Sequence, residues 1–275
     1  SCPFPKPPAG IFIRTMTPSV NGSVSDPRRI LLTTNTLILL TLIFLLGGLV
    51  KGVVGFGLPT IGIGLGAMLV DIPTAMLLIA VPTVLSNGWQ IAANGDVFKT
   101  ARRLWVFLLA SVALVPAGIA LVIWIPEWPY ERLLGLVIVV YSLWSIRGKD
   151  WHLPNPTSRT AAVLFGGINA FITGLTGCFS VPGVMYLRGL GLSKTELLCA
   201  MGWLYLLSAL AMGGSLALFG HSTAQLSGWS VAACLPVGVG LLIGTLIQRR
   251  LSEVFFRKVF LMAFAVIGFV LLVWG

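Results

Sequence analysis

Long stretches without a charged residue constrain this chain more than any motif: Ile30–Val50, Gly52–Val70, Ile72–Gly95, Leu104–Pro126, Thr160–Leu187 and Leu197–Gln248. A helix needs about 20 apolar residues to cross the hydrocarbon core of a bilayer, so several of these runs are single spans and the last holds at least two. Only 9% of the residues are charged and 57% are hydrophobic, whereas a soluble domain has about 25% charged residues. The net charge of +10 comes from short basic clusters between apolar runs. Such clusters read as topology signals and not as a nucleic-acid surface. The expectation is an all-α, polytopic protein of the cell inner membrane, surrounded by the lipid bilayer.

Residues 1–29 are polar and rich in Pro and Ser, without the apolar core of a signal peptide, and read as a disordered tail. A first transmembrane repeat is expected over 30–147. It opens with the apolar segment Ile30–Val50, the Gly/Pro-dense stretch Gly52–Pro59 and a second apolar segment, Thr60–Val70. Together these make a helical hairpin that either spans or re-enters. Three longer spans follow, Thr74–Ala93, Leu104–Trp124 and Tyr130–Ile146. A cytoplasmic linker is expected over 148–159, and the plan then repeats over 160–275. The second hairpin turns at Thr173–Pro182, and its spans are Thr195–Phe219, Trp229–Ile247 and Val254–Trp274. Gly52 and Gly55 echo Gly174 and Gly177 at an offset of 122, while Gly118 and Tyr130 echo Gly244 and Phe256 at an offset of 126. Such self-similarity is the signature of a duplication.

Loop charges set the orientation. Lys99, Arg102 and Arg103, then Arg147, Lys149 and Arg159, then Arg188 and Lys194, and finally Arg249, Arg250, Arg257 and Lys258 form four basic clusters that belong in the cytoplasm. If each hairpin returns to the side where it began, all four fall there, and both termini lie outside. Arg28 and Arg29 are the exception. Each half is then a hairpin plus three spans, so the halves are inverted, with eight full spans and up to ten crossings.

Inverted halves with broken segments in matching places point to a secondary transporter that binds its substrate where the halves meet. Unwound backbone at membrane depth is tolerated only against protein, water or substrate. Helix starts beyond a break favour anions, and Gly52, Gly55, Gly57, Gly174 and Gly177, next to Pro59 and Pro182, would let a ligand approach the backbone. Close helix packing is the plainer use of such glycines. Lys51 stands between two apolar runs, where it would either meet an anion or snorkel to the interface. Thr173 takes its place in the second half. Asn87, Gln90, Thr176 and Ser180 are candidate hydrogen-bonding ligands, and Ser208 aligns with Asn87, although each would serve equally between helices.

All eight carboxylates lie at loops or span ends, and Asp71 and Glu196 are the nearest candidates for coupling-ion sites. Trp105, Trp124, Trp128, Trp229 and Trp274 mark span ends as an interfacial belt. Cys178, Cys199 and Cys234 sit in apolar runs without paired spacing, and the only histidines, His152 and His221, fall in loops. No metal set, cofactor motif or catalytic constellation follows from them, and an enzyme is not expected.

The motif GGLVKGVVGFGLP at Gly47–Pro59, its echo GGINAFITGLTGCFSVP at Gly166–Pro182 and the two-fold layout resemble the TauE/SafE sulfite exporter family over roughly Leu31 to Trp274. The resemblance implies a carrier of sulfite, organosulfonates or related sulfur anions, working by alternating access. A carrier of another small organic anion or an anion channel are the alternatives, and a homo-oligomer is compatible with either. Leu58, Cys178, Phe179 and Ser180 stand where the family more often has glycine, which bears on the substrate.

Overall fold

The computed structural model describes residues 34–94, 96–147, 153, 155–156, 158–248 and 253–274. The expected tail at 1–29 and most of the linker lie outside them. The described residues form twelve helical segments and no strand. In the first half these are α1 (Thr34–Val54), α2 (Leu58–Gly66), α3 (Ile72–Ala93), α4 (Val97–Ala113), α5 (Val115–Trp124) and α6 (Tyr130–Arg147). In the second they are α7 (Arg159–Thr176), α8 (Gly183–Gly189), α9 (Lys194–Leu218), α10 (Ala224–Ala232), α11 (Cys234–Gln248) and α12 (Glu253–Trp274).

Side-chain caps fix where five of these helices begin. Asp71, Asp96, Ser158, Ser193 and Thr223 each accept a hydrogen bond from the backbone N–H three residues on, satisfying a donor that the first turn leaves open. Ser193 and Glu196 complete a reciprocal capping box. Proline explains why two spans are each read as a pair of segments. Pro116 sits in the first turn of α5, and Pro236 in that of α11, where a missing N–H interrupts the hydrogen-bond ladder. Taken across those breaks, five helices are long and apolar enough to cross a membrane: Thr34–Val54, Ile72–Ala93, Val97–Trp124, Lys194–Leu218 and Ala224–Gln248.

Two expected boundaries move. α1 continues through Lys51 and Gly52 to Val54, and α7 continues through Thr173 and Gly174 to Thr176. The unwound stretches are therefore Gly55–Gly57 and Gly177–Pro182, shorter than the Gly/Pro composition suggests. A single glycine lowers helix propensity by only about 1 kcal/mol, which a packed neighbour outweighs.

That neighbour is another helix. α1 lies along α11, and α7 lies along α4 and α5. A Cβ on Gly52 would stand 2.9 Å from Gly244 Cα, and one on Gly174 would stand 2.8 Å from Gly118 Cα, so these backbones touch, as small residues permit in membrane helices. α3 packs on α9, and α6 on α12, with Gly135 against Gly268. In the α3/α9 pair, Gly213 lies against Ala80 and Gly202 against Ile91, so these two helices run antiparallel. Facing away from the core, Leu42, Leu109, Leu218, Leu235 and Leu246 are all exposed. That much apolar surface belongs against lipid tails.

Candidate functional site

The middle of the α3/α9 pair gathers the polar side chains. Lys51, near the end of α1, is only 3% exposed. Its Nζ donates to Asn87 Oδ1 of α3 at 2.5 Å, and Asn87 Nδ2 donates to Thr83 O at 2.7 Å. Asn87 is fully buried and has both ends of its amide engaged, so it holds the ammonium in place. A lysine ammonium has three donors, and a neutral amide does not balance its charge. Snorkelling is excluded by the burial.

From the other half, Ser180 in the second break shares a 2.9 Å hydrogen bond with Tyr205 of α9, whose ring packs on Phe179. Phe56, in the first break, meets Tyr141 of α6 edge-on. Gln90 Nε2 donates to Leu198 O at 2.9 Å and pins α3 to α9.

The remaining candidates divide. Gly55, Gly57 and Gly177 have φ of 86°, 104° and 68°, a left-handed backbone that glycine adopts without strain. Pro59 stands in the first turn of α2 and Pro182 at the cap of α8. Gly52 and Gly174, expected to let a ligand approach the backbone, are turned instead onto α11 and onto the α4–α5 junction. Thr173 Oγ1 donates to Cys178 O at 3.2 Å, while Thr176 Oγ1 donates to Ile172 O at 2.8 Å and accepts from Cys178 N at 3.2 Å. These two hydroxyls shape the second break. The breaks also do not meet at one point: Gly55 abuts Leu198 and Gly177 abuts Met76, each near the start of one member of an antiparallel pair, hence at opposite ends of it.

Asp71 and Glu196 serve as caps. Asp71 accepts from Thr74 N at 2.9 Å and from Thr74 Oγ1 at 2.7 Å. Glu196 accepts from Ser193 Oγ at 2.8 Å and from Ser193 N at 3.1 Å, and its other oxygen lies 3.6 Å from Arg103. Ser193→Ala, which removes the hydroxyl that caps α9 and bonds Glu196, is expected to cost about 1 kcal/mol of stability, as followed by unfolding scans. An unchanged unfolding temperature would mean that the capping box does not hold the start of α9.

Among the described residues no three His, Cys, Asp or Glu side chains gather as a metal site, and Cys178, Cys199 and Cys234 are free thiols. Thr83 and Tyr205 carry no signal in the sequence, because a Thr after a Pro and a Tyr among leucines look like packing. The helical repeat that places Thr83 one turn before Asn87 is the only hint.

Helical described residues, five of their helices able to cross a membrane and a buried lysine held between them, fit a membrane transporter. The family model described as sulfite exporter TauE/SafE matches residues 40–271, and the chain belongs to that family. It is accordingly a multi-pass membrane transporter of sulfur anions such as sulfite. No curated protein and no solved structure matches the chain.

Proposed function

We propose that this protein carries a small sulfur oxyanion, sulfite or an organosulfonate, across the cell inner membrane by alternating access, with the anion bound beside Lys51. One observation carries the reading: a lysine 3% exposed whose partner is a neutral amide. A charge at membrane depth costs about 3 kcal/mol even on the mildest scale, and an anionic substrate offsets that cost.

Alternating access between inverted halves 30–147 and 160–275, joined by 148–159, draws support from matched contacts. At an offset of 122, Gly55 against Leu198 becomes Gly177 against Met76 with the halves exchanged, and Ala80 against Gly213 becomes Gly202 against Ile91. Equivalent helices α3 and α9 run antiparallel, as an inverted repeat requires. Leu198 on Gly55 and Met76 with Ile63 on Gly177 then act as two gates, one at each end of the pair.

The test is uptake of radiolabelled sulfite into proteoliposomes, with taurine, sulfoacetate, thiosulfate, sulfate and acetate as competitors. Saturable uptake, accelerated by unlabelled substrate on the far side and blocked by a sulfur anion, is the expected result. Flux without that acceleration would indicate a channel. No flux from folded, inserted protein would remove sulfite as the substrate.

A further inference from the structure

Two hydroxyls in the α3/α9 pair, one on each helix, stand outside the hydrogen bonding of the fold. Thr83 Oγ1 and Ser208 Oγ are fully buried and have no hydrogen-bond partner among the described residues. Elsewhere, hydroxyls on these helices bond back to the carbonyl four residues earlier: Thr41 to Leu37, Ser111 to Phe107, Ser215 to Ala211 and Thr245 to Leu241. That is the ordinary way to satisfy a hydroxyl inside a membrane helix. Leaving one unsatisfied costs about 1–3 kcal/mol, so two at one place call for a reason. Ser142 Oγ, Ser145 Oγ and Asn169 Nδ2 share this state, but on α6 and α7.

Position supplies the reason. Thr83 is one helical turn before Asn87, and Asn87 grips both Lys51 Nζ and Thr83 O. In the antiparallel register set by Ala80 with Gly213 and Ile91 with Gly202, Ser208 stands within one turn of Thr83 in height along the pair. On α9, Ser208 lies three residues after Tyr205, on the stripe that meets Ser180 of the second break. One hydroxyl thus comes from each helix of the pair, at about the height of the Lys51–Asn87 contact.

We infer that Thr83 and Ser208 are substrate-binding residues whose hydroxyls donate to the oxygens of the sulfur oxyanion paired with Lys51, and that they set the preference for that class over carboxylates. The inference rests on the reading that the anion binds at Lys51. Sulfite and sulfonate groups present three oxygens, one for the ammonium and one for each hydroxyl. A carboxylate presents two oxygens in one plane, so two of the three donors must share an oxygen in a poorer geometry, which weakens its binding relative to a three-oxygen group.

Thermal unfolding of the purified full-length protein in detergent, titrated with sulfite, methanesulfonate or acetate, tests this in Thr83→Val, Ser208→Ala and Thr83→Ser. Without anion, Thr83→Val and Ser208→Ala should unfold at or above the temperature of the unmodified protein, because each removes an unpaired hydroxyl. Each should raise the sulfite half-saturation concentration about tenfold, as expected for a lost hydrogen bond to a charged group. Acetate binding should change little, and Thr83→Ser should restore sulfite binding. Unchanged sulfite half-saturation in both variants, or a lower unfolding temperature without anion together with unchanged affinity, would overturn the inference and make the hydroxyls structural. No stabilisation of the unmodified protein by sulfite or methanesulfonate would overturn it together with the sulfur-oxyanion reading. Binding that survives Lys51→Met but not Thr83→Val would remove the ammonium from the site and keep the hydroxyls.

Discussion

Lys51→Met is expected to abolish saturable anion transport and, in the absence of anion, to make the protein more stable. Both effects follow from one geometry. The ammonium is buried against a neutral amide, so an apolar side chain of similar length removes a charge that costs about 3 kcal/mol at membrane depth while leaving Asn87 Oδ1 without its donor at about 1–3 kcal/mol, a net stabilisation of up to about 2 kcal/mol. The same change takes away the charge partner of the substrate. Truncating one member of a buried charge pair costs about 2–5 kcal/mol of binding, which corresponds to a loss of affinity of roughly 30-fold to several thousand-fold. Unfolding scans with and without sulfite measure both quantities on one sample. A Lys51→Met protein that is less stable without anion and equally stabilised by sulfite would show that Lys51 serves the fold and not the substrate.

Gly52→Ala and Gly174→Ala are expected to be among the most damaging substitutions of a single methyl group among the described residues. In each case the new Cβ meets backbone of another helix, which no rotamer change can move. On Gly52 it would lie 2.9 Å from Gly244 Cα and Thr245 N, and on Gly174 it would lie 2.8 Å from Gly118 Cα. The helix pairs α1/α11 and α7/α5 would have to separate along their length. Overpacking a core typically costs about 1–3 kcal/mol, and a rigid backbone on the far side puts these cases at about 3 kcal/mol or more. The unfolding temperature should fall by about 10 °C in both variants. Gly88→Ala, where nothing lies within 4 Å of the new methyl, is the control. Size-exclusion profiles and unfolding scans read the result. Similar damage is expected in both variants, because each new methyl meets the backbone of a glycine on another helix at nearly the same distance. Tolerance of both would mean that these helix pairs are not packed through their glycines.

The same two glycines show where reading the sequence stops. Each opens a Gly-x-x-Gly motif, Gly52 with Gly55 and Gly174 with Gly177, but spacing does not say whether a small residue makes room for a ligand or for another helix. Both uses need the same missing side chain. The distinction lies in which backbone arrives opposite, and the backbones facing Gly52 and Gly174 come from positions far along the chain, at Leu241–Thr245 and Val115–Ile119. Asp71 and Glu196 make a similar case. Each sits at the start of a long apolar helix, which suits an ion site or a cap equally, and hydrogen bonds to Thr74 and Ser193 give both a capping role.

Lys51 was legible because a cation between apolar runs is costly wherever it lies, so sequence alone marks it. Its partner was legible only in part. Asn87 stood out as a polar residue in a span, whereas Thr83, Tyr205 and the shared Ser180 hydrogen bond did not. Sequence by itself determined that the chain lives in a bilayer, that it is helical, and to which family it belongs. Those properties depend on the length of apolar runs and on local motifs, which are read one segment at a time. Tertiary structure alone decided which polar groups converge beside Lys51, which glycines pack, and that α3 and α9 cross antiparallel with the two breaks at opposite ends. Those are pairings between distant segments, and in lipid they are selected by close backbone contact and hydrogen bonding instead of by hydrophobicity, which is nearly uniform along such a chain.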